Sequence, residues 1–230
     1  MNLGEKEFFQ RERERLVRQL EREGILKDPY VKRALLRVPR EEFVLPEYKR
    51  YAYVDRPLPI LAGQTISAPH MCCIMCQALE LRPGHKVLEV GTGSGYHAAL
   101  CAEIVAPEDS EVKGHVYTVE IVPELVEFAR ENLRRTGYLD RVTVIHGDGS
   151  KGLPQFAPFD RILVTAAGPD VPSPLLEQLR RGGRLVMPIG PPHGIQILVL
   201  VEKDEEGRYH YKNLGGCLFV SLRGEYGWKL

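Results

Sequence analysis

VLEVGTGSGY, residues 87–96, reads as a buried strand running into a glycine-rich turn and straight on into a helix. The apolar run KVLEV (86–90) ends at Gly91, and Gly91, Gly93 and Gly95 alternate with small polar residues before helical sequence begins at Tyr96. Glycines at such a junction permit a sharp turn and let a ligand lie against the backbone. The helix start adds unpaired N–H groups facing the same space. Counted from Gly91, the sixth position of a dinucleotide fingerprint falls on Tyr96, too large for close helix–strand packing; at an offset, Gly93, Gly95 and Ala98 fit the spacing. The glycines alone therefore leave a nicotinamide cofactor open. A Walker loop is excluded, because no Gly-Lys-Ser/Thr follows.

Outward from this turn, strand and helix alternate at a spacing of about 30 residues, which predicts βαβ units and a parallel sheet. HVYTVE (115–120), RVTVIHGD (141–148), DRILVTAA (160–167) and RLVMPIG (184–190) read as strands, and 96–105, 123–135 and 172–181 as helices. IQILVLVE (195–202), RYHYKNL (208–214) and CLFVSL (217–222) follow with short links, predicting antiparallel strands added to one edge. Upstream, 5–24 reads as a mostly polar helix with Phe9, Leu16 and Leu20 on one side, closed by Gly24. Asp28-Pro29 reads as the N-cap and first residue of a second helix, whose core face is Val31, Ala34, Leu35 and Val38. From there to about residue 60 no strand pattern is visible. The expected architecture is α/β: a mostly parallel, doubly wound Rossmann-like sheet over 61–230 with antiparallel C-terminal strands. An N-terminal helical extension over 1–60 precedes it, the whole forming a single catalytic unit.

Composition narrows the function classes. The chain has 230 residues, 43% hydrophobic and 27% charged, which suits one α/β domain with a core of its own. Lys+Arg and Asp+Glu are 31 each, so no broad basic field is available and no nucleic-acid partner is expected. No apolar run approaches about 20 residues, and no membrane partner is expected. The charged start MNLGEKEFFQRERER lacks the apolar run of a signal peptide, so the expected location is cytoplasmic. A monomer is expected, although the sequence does not set the oligomeric state. Five cysteines include Cys72, Cys73 and Cys76; one Cys-x-x-Cys without a second pair falls short of the four ligands of a structural zinc site, and no metal is expected. Buried thiols behaving as small apolar groups are the better reading.

Three further stretches carry chemistry. Glu120 closes the second strand, where an acid accepts hydrogen bonds from ribose hydroxyls. It lies 25 residues beyond Gly95 rather than the usual ~20, and the polar segment 107–113 accounts for the excess as a surface loop. Asp148, between Gly147 and Gly149, stands at the end of the third strand, where a carboxylate can reach an adenine amino group; Asp-Gly is also ordinary turn chemistry. GQTISAPHM (63–71) offers Gln64, Thr65, Ser67 and His70 as hydrogen-bond donors to a ligand. The plainer reading makes Ser67 an N-cap with Pro69 in the first helical turn. Nothing here resembles a nucleophile elbow.

Taken together, RVPREEFV (37–44), DRPLPI (55–60), GQTISAPHM (63–71), VLEVGTGSGY (87–96), VYTVE (116–120), HGDGSKGLP (146–154), FDRILVTAA (159–167) and GGRLVMPIG (182–190) resemble the protein-L-isoaspartate O-methyltransferase family. The resemblance spans about four-fifths of the chain, and TISAPH and GDGSKG are far more specific than the glycine turn. It implies a Rossmann-like methyltransferase fold, S-adenosyl-L-methionine as methyl donor and S-adenosyl-L-homocysteine as product. It implies L-isoaspartyl residues of damaged proteins and peptides as acceptors, with Ser67 as the active-site residue. Carried over residue by residue, it implies donor binding by Gln64, Thr65, Ile66, Glu89, Gly91, Thr92, Gly93, Ser94, Gly95, Glu120, Ile121, Asp148 and Gly149. It likewise implies acceptor binding by Thr65, Ser67, His70, Val220 and Leu222. The chain departs from the family's pattern at Cys72, where His or an aliphatic residue is common, at Ser221, where a Val-Pro-Leu stretch has proline, and in its longer 107–113 loop.

The chemistry of the residues agrees. A sulfonium donor is already activated, and an isoaspartyl α-carboxylate is ionised at neutral pH, so the transfer asks for alignment and exclusion of water rather than a strong base or a metal. A methyltransferase acting on a small molecule, a binding protein that keeps the cofactor fold without turnover, and an NAD-dependent oxidoreductase are the competing classes. The TISAPH stretch, which other donor-dependent methyltransferases do not need, separates the first of these.

Overall fold

The computed structural model describes residues 3–229. Helix α1 (Leu3–Arg22) buries Phe9, Leu16, Val17 and Leu20, and the chain reverses at Gly24. Helix α2 (Pro29–Arg37) starts as its sequence suggests: the Asp28 side chain accepts from the N–H groups of Tyr30 and Val31, and Pro29 takes the first position, where no donor is missed. Two short 3-10 turns lead to β1 (Leu58–Pro59) and β2 (Thr65–Ile66), an antiparallel pair that the sequence did not announce, each strand being two residues long. Then come α3 (Pro69–Ala78), β3 (Lys86–Val90), α4 (Tyr96–Val105), β4 (His115–Glu120), α5 (Pro123–Thr136), β5 (Val142–His146), β6 (Phe159–Val164), α6 (Ser173–Gln178), β7 (Leu179–Ile189), β8 (Gln196–Lys203) and β9 (Tyr209–Cys217).

The seven longer strands form one sheet in the order β5-β4-β3-β6-β7-β8-β9. β5, β4, β3, β6 and β7 run parallel, and β8 and β9 add antiparallel at one edge. From β3 the chain winds outward through β4 and β5, then returns to the other side of β3 with β6 and β7. The carboxyl end of β3 is therefore the topological switch point, where open α/β sheets bind ligands.

Both faces of the sheet are buried, as a parallel sheet requires. Val87, Val116 and Leu163 face a core that includes α1, α2, α3 and α4, with Phe9, Leu35, Met75 and Leu100 in it. Leu88, Val164 and Leu185 face the other core, with Leu175, Met187 and Leu222. The N-terminal helices thus share a core with the strands. Glu103, buried on α4, fastens this side: Arg37 of α2 reaches its Oε1 at 2.6 Å, and Tyr138 donates to its Oε2 at 3.2 Å.

Three readings of the sequence are corrected. The helix expected over 172–181 ends at Gln178, and β7 begins at Leu179 rather than 184. Leu179 pairs with Phe159 and Arg184 with Arg161, so Arg180–Gly183 form a bulge, and the two glycines sit in it rather than ending a helix. CLFVSL (217–222) is not a further strand: only Cys217 belongs to β9, and Ser221 makes a single bridge to Ala167. The buried Gln196 side chain takes the place of a pairing strand, its Oε1 accepting from Phe219 N–H at 2.7 Å and its Nε2 donating to Phe219 O at 3.1 Å. Finally, Ala68, not Ser67, occupies the N-cap position of α3, with no side-chain cap bond; Pro69 is in the first turn as expected. Among the described residues no helix is long and apolar enough to cross a membrane.

Candidate active site

A cavity of about 570 Å³ opens at the carboxyl end of β3. That is within the range of about 300–1,000 Å³ typical of small-molecule sites. One wall is the turn after β3. Gly91 has φ 93°, and a Cβ there would stand 2.5 Å from Thr165 Oγ1, so only glycine lets the chain turn this close to β6. Glu120, at the end of β4 and only 5% exposed, accepts from Gly93 N–H at 2.9 Å through Oε2 and from Val122 N–H at 3.0 Å through Oε1. A buried carboxylate holding two backbone donors keeps the glycine turn and the start of α5 in one register. It retains lone pairs for a hydroxyl-bearing ligand.

Glu89, the last but one residue of β3, is fully buried. Thr118 donates to its Oε2 at 2.6 Å, and the Thr92 hydroxyl lies 2.6 Å from that of Thr118. Its Oε1 has no partner among the described residues, and the residue lines the cavity. Burial pushes the carboxyl up to about 8, with the Thr118 bond working the other way. An orphaned, desolvated carboxylate oxygen in a glycine-walled cavity fits a cationic ligand group.

The opposite wall is the segment 64–70 after the β1–β2 loop. Gln64, Thr65, Ile66, Ser67 and His70 all line the cavity. The Ser67 carbonyl accepts from Arg40 Nη2 at 2.8 Å, and Arg40, itself fully buried, also donates to Ala52 O at 2.8 Å. The Ser67 hydroxyl makes no bond among the described residues, so it is available to a ligand. His70 is held by Asp55, which accepts from its main-chain N–H at 2.8 Å and stands 2.9 Å from its Nδ1. That bond raises the His70 pKa. The third wall is 216–223, bridged to β6 by Ala167 N–H donating to Val220 O and Leu222 N–H to Ala167 O, both at 2.8 Å.

Of the residues singled out in the sequence, the structure brings Gln64, Thr65, Ile66, Ser67, His70, Glu89, Gly91, Thr92, Gly93, Ser94, Glu120, Ile121, Gly149, Val220 and Leu222 around one cavity. Gly95 and Asp148 stand apart from it. A Cβ on Gly95 would meet Leu133 Cγ at 3.2 Å, so this glycine serves the packing of α4 on α5. The Asp148 carboxylate accepts from Ser150 N–H at 3.0 Å and Ser150 Oγ at 2.6 Å, and from Glu225 N–H at 2.9 Å. It ties the C-terminal segment to the end of β5. Tyr96 packs edge-on to Phe43 at 5.6 Å with the Arg40 guanidinium over its ring at 4.8 Å; its bulk is turned toward the N-terminal segment.

Sequence reading missed Ile195, Leu218 and Arg223 in the lining. Their segment lies more than 100 residues from the glycine turn, and only the return of the chain over β6 brings them in. It also missed that Cys76, His97 and Cys101 place their sulfur and nitrogen atoms within 4.8 Å of one another. The Cys76 thiol is pushed well up by its hydrogen bond to Cys101 and by burial, and burial lowers His97 to about 3. Among the described residues His97 Nδ1 makes no well-formed hydrogen bond, whereas a metal-bound histidine ordinarily donates its second N–H to an acceptor.

Comparison with known proteins now adds to this geometry. The family model for protein-L-isoaspartate(D-aspartate) O-methyltransferase matches residues 11–227. The protein-L-isoaspartate O-methyltransferase of Hyperthermus butylicus is 57% identical over 227 residues, covering 98% of this chain and 94% of its own. That of Staphylothermus marinus is 58% identical over 221 residues, covering 96% and 98%. Among solved structures, the Plasmodium falciparum β-aspartate methyltransferase in complex with S-adenosyl-L-homocysteine superposes with a TM-score of 0.80. It shares 30% identity and covers 90% of this chain and 96% of its own.

Proposed function

The chain belongs to the protein-L-isoaspartate(D-aspartate) O-methyltransferase family. From that premise we propose that it transfers the methyl group of S-adenosyl-L-methionine to the α-carboxylate of L-isoaspartyl residues in damaged proteins and peptides. The methyl ester then closes to a succinimide, which begins repair. The observation that carries the reading is the facing of two walls across one cavity: the Gly91–Gly93 turn with Glu89 and Glu120 on one side, the Gln64–His70 segment on the other.

The residues divide the work between donor and acceptor. Gly91, Thr92, Gly93 and Ser94 give a backbone surface for the donor's methionine part. Glu120 accepts from the ribose hydroxyls, and Glu89, with an oxygen left unpaired, accepts from the ammonium. Ile121 and Gly149 flank the adenosine side. When bound there, S-adenosyl-L-methionine supplies a methyl group already activated on a sulfonium. The acceptor α-carboxylate has a reference pKa of about 3.3–3.7, so it arrives ionised and is itself the nucleophile. Ser67 therefore does not remove a proton; its free hydroxyl donates one hydrogen bond that orients a carboxylate oxygen. Thr65, His70, Val220 and Leu222 confine the acceptor chain, and the apolar lining keeps water from competing. We assign the buried Cys76–His97–Cys101 cluster no step in the transfer; its side chains serve packing.

The reading is tested by mass spectrometry of an isoaspartyl peptide incubated with the protein and donor. A methyl ester followed by loss of methanol to a succinimide is expected. A peptide that stays unmodified overturns the assignment.

A further inference from the structure

Charge is unevenly placed around the cavity. Of the residues lining it, Glu89 and Glu120 are buried carboxylates, and Arg223 is the one Lys or Arg. His70, the other group in the acceptor wall that can carry positive charge, is already matched to Asp55. Arg223 has no hydrogen bond or ion pair among the described residues, and its side chain is exposed. Its backbone, by contrast, is held next to fixed points: Leu222 N–H donates to Ala167 O and Trp228 N–H to Leu222 O, both at 2.8 Å. Ile195 and Leu218, each 73% exposed, share this rim.

An exposed, unpaired arginine is most often just solvated. Arg223 differs because it stands on a pinned base and lines the same cavity as the buried carboxylate of Glu120. Glu120 is buried deeper, beside the glycine turn, and the reacting carboxylate has to pass the rim to reach the Ser67 side. What rests against the exposed rim is then the acceptor chain flanking the damaged residue. A cation in that place attracts carboxylates of the flank and repels its cations.

We propose that Arg223 sets acceptor preference, favouring isoaspartyl polypeptides with an acidic side chain beside the damaged residue. This rests on the acceptor reading given above.

The test uses the full chain with three isoaspartyl peptides that differ only in the flanking residue, Glu, Gln or Lys, placed in turn before and after the isoaspartate. Wild type is compared with Arg223→Lys, Arg223→Gln and Arg223→Glu. Wild type should rank the peptides Glu over Gln over Lys in kcat/KM, spanning roughly three- to ten-fold, carried by the acceptor KM and shrinking at high salt. Arg223→Lys should keep the order, Arg223→Gln should collapse it and Arg223→Glu should invert it, while the donor KM is the same in all four. A wild type without charge preference, or an Arg223→Gln variant with the wild-type ranking, overturns the proposal and leaves the acceptor reading standing. Failure of wild type to methylate any isoaspartyl peptide overturns both.

Discussion

On one side of the cavity, Gly91 N–H donates to Val119 O, the Glu120 side chain accepts from the Gly93 and Val122 N–H groups, and these residues stand close together along the chain. On the other, residues 218–223 have left the sheet and hang from it by the Gln196 amide and two bonds to Ala167. The first side is buried, glycine-lined and acidic. The second is partly exposed, with Leu218 and Arg223 open to solvent. A soluble donor of fixed shape suits the first arrangement. A polypeptide acceptor, variable in sequence and too large to be enclosed, suits the second. The Ser67 segment lies between them, anchored through its carbonyl to the buried Arg40.

This division can be broken most forcefully at Ser67. Ser67→Ala should lower kcat on an isoaspartyl peptide by about 10- to 1,000-fold, because misplacing a reacting oxygen by about 1 Å can cost roughly 100-fold. Donor affinity should move less. A rate equal to wild type would leave the hydroxyl without a role, since Ala68 holds the cap position. Glu120→Ala acts on the other side. Losing hydrogen bonds to a charged group costs about 1.5–3 kcal/mol, or roughly 10- to 150-fold, and should appear mainly in donor KM. An unchanged donor KM would remove Glu120 from the donor wall.

Asp148 sharpens the comparison, because its carboxylate could serve either side. Its bonds to Ser150 and Glu225 join the end of β5 to the C-terminal segment beyond Arg223. Asp148→Ala should therefore raise acceptor KM by about ten-fold and change donor KM little, because the three bonds lost, from Ser150 N–H, Ser150 Oγ and Glu225 N–H, act on the acceptor only through the C-terminal segment. The opposite split would place Asp148 at the donor's adenine.

A further effect is expected on stability, and it concerns Glu89. Its carboxyl lies at about 8 in the folded chain against an ordinary 4.5. Between those values the folded state holds a proton that the unfolded state has released, so this group's contribution is full below pH 4.5 and is lost as pH rises toward 8. Glu89→Gln should melt progressively higher than wild type as pH is raised from 4.5 to 8, followed by calorimetry without donor. A difference that does not change with pH would mean that Glu89 is ionised in the fold.

The donor wall was legible because its signals are local. A strand, a glycine turn and a helix start lie within ten consecutive residues, and β3, α4 and β4 have the bounds their sequence suggests. Within the same stretch the packing of Gly95 under Leu133 was not legible, because glycine needed for a ligand and glycine needed for packing look alike in sequence. The acceptor wall was half legible. TISAPH marked its first part, but CLFVSL alternates like a strand, and nothing local says that Gln196 will take up its backbone bonds. Arg223 and Leu218 could only be found once the chain was seen to return over β6.

The central claim is that the acceptor is an isoaspartyl carboxylate. It is tested most directly by labelled methyl transfer from S-adenosyl-L-methionine to two peptides identical except that one carries L-isoaspartate where the other carries ordinary L-aspartate. The account predicts label in the isoaspartyl peptide and none above background in its partner. Equal labelling of the two, or label in neither with donor bound, would contradict it.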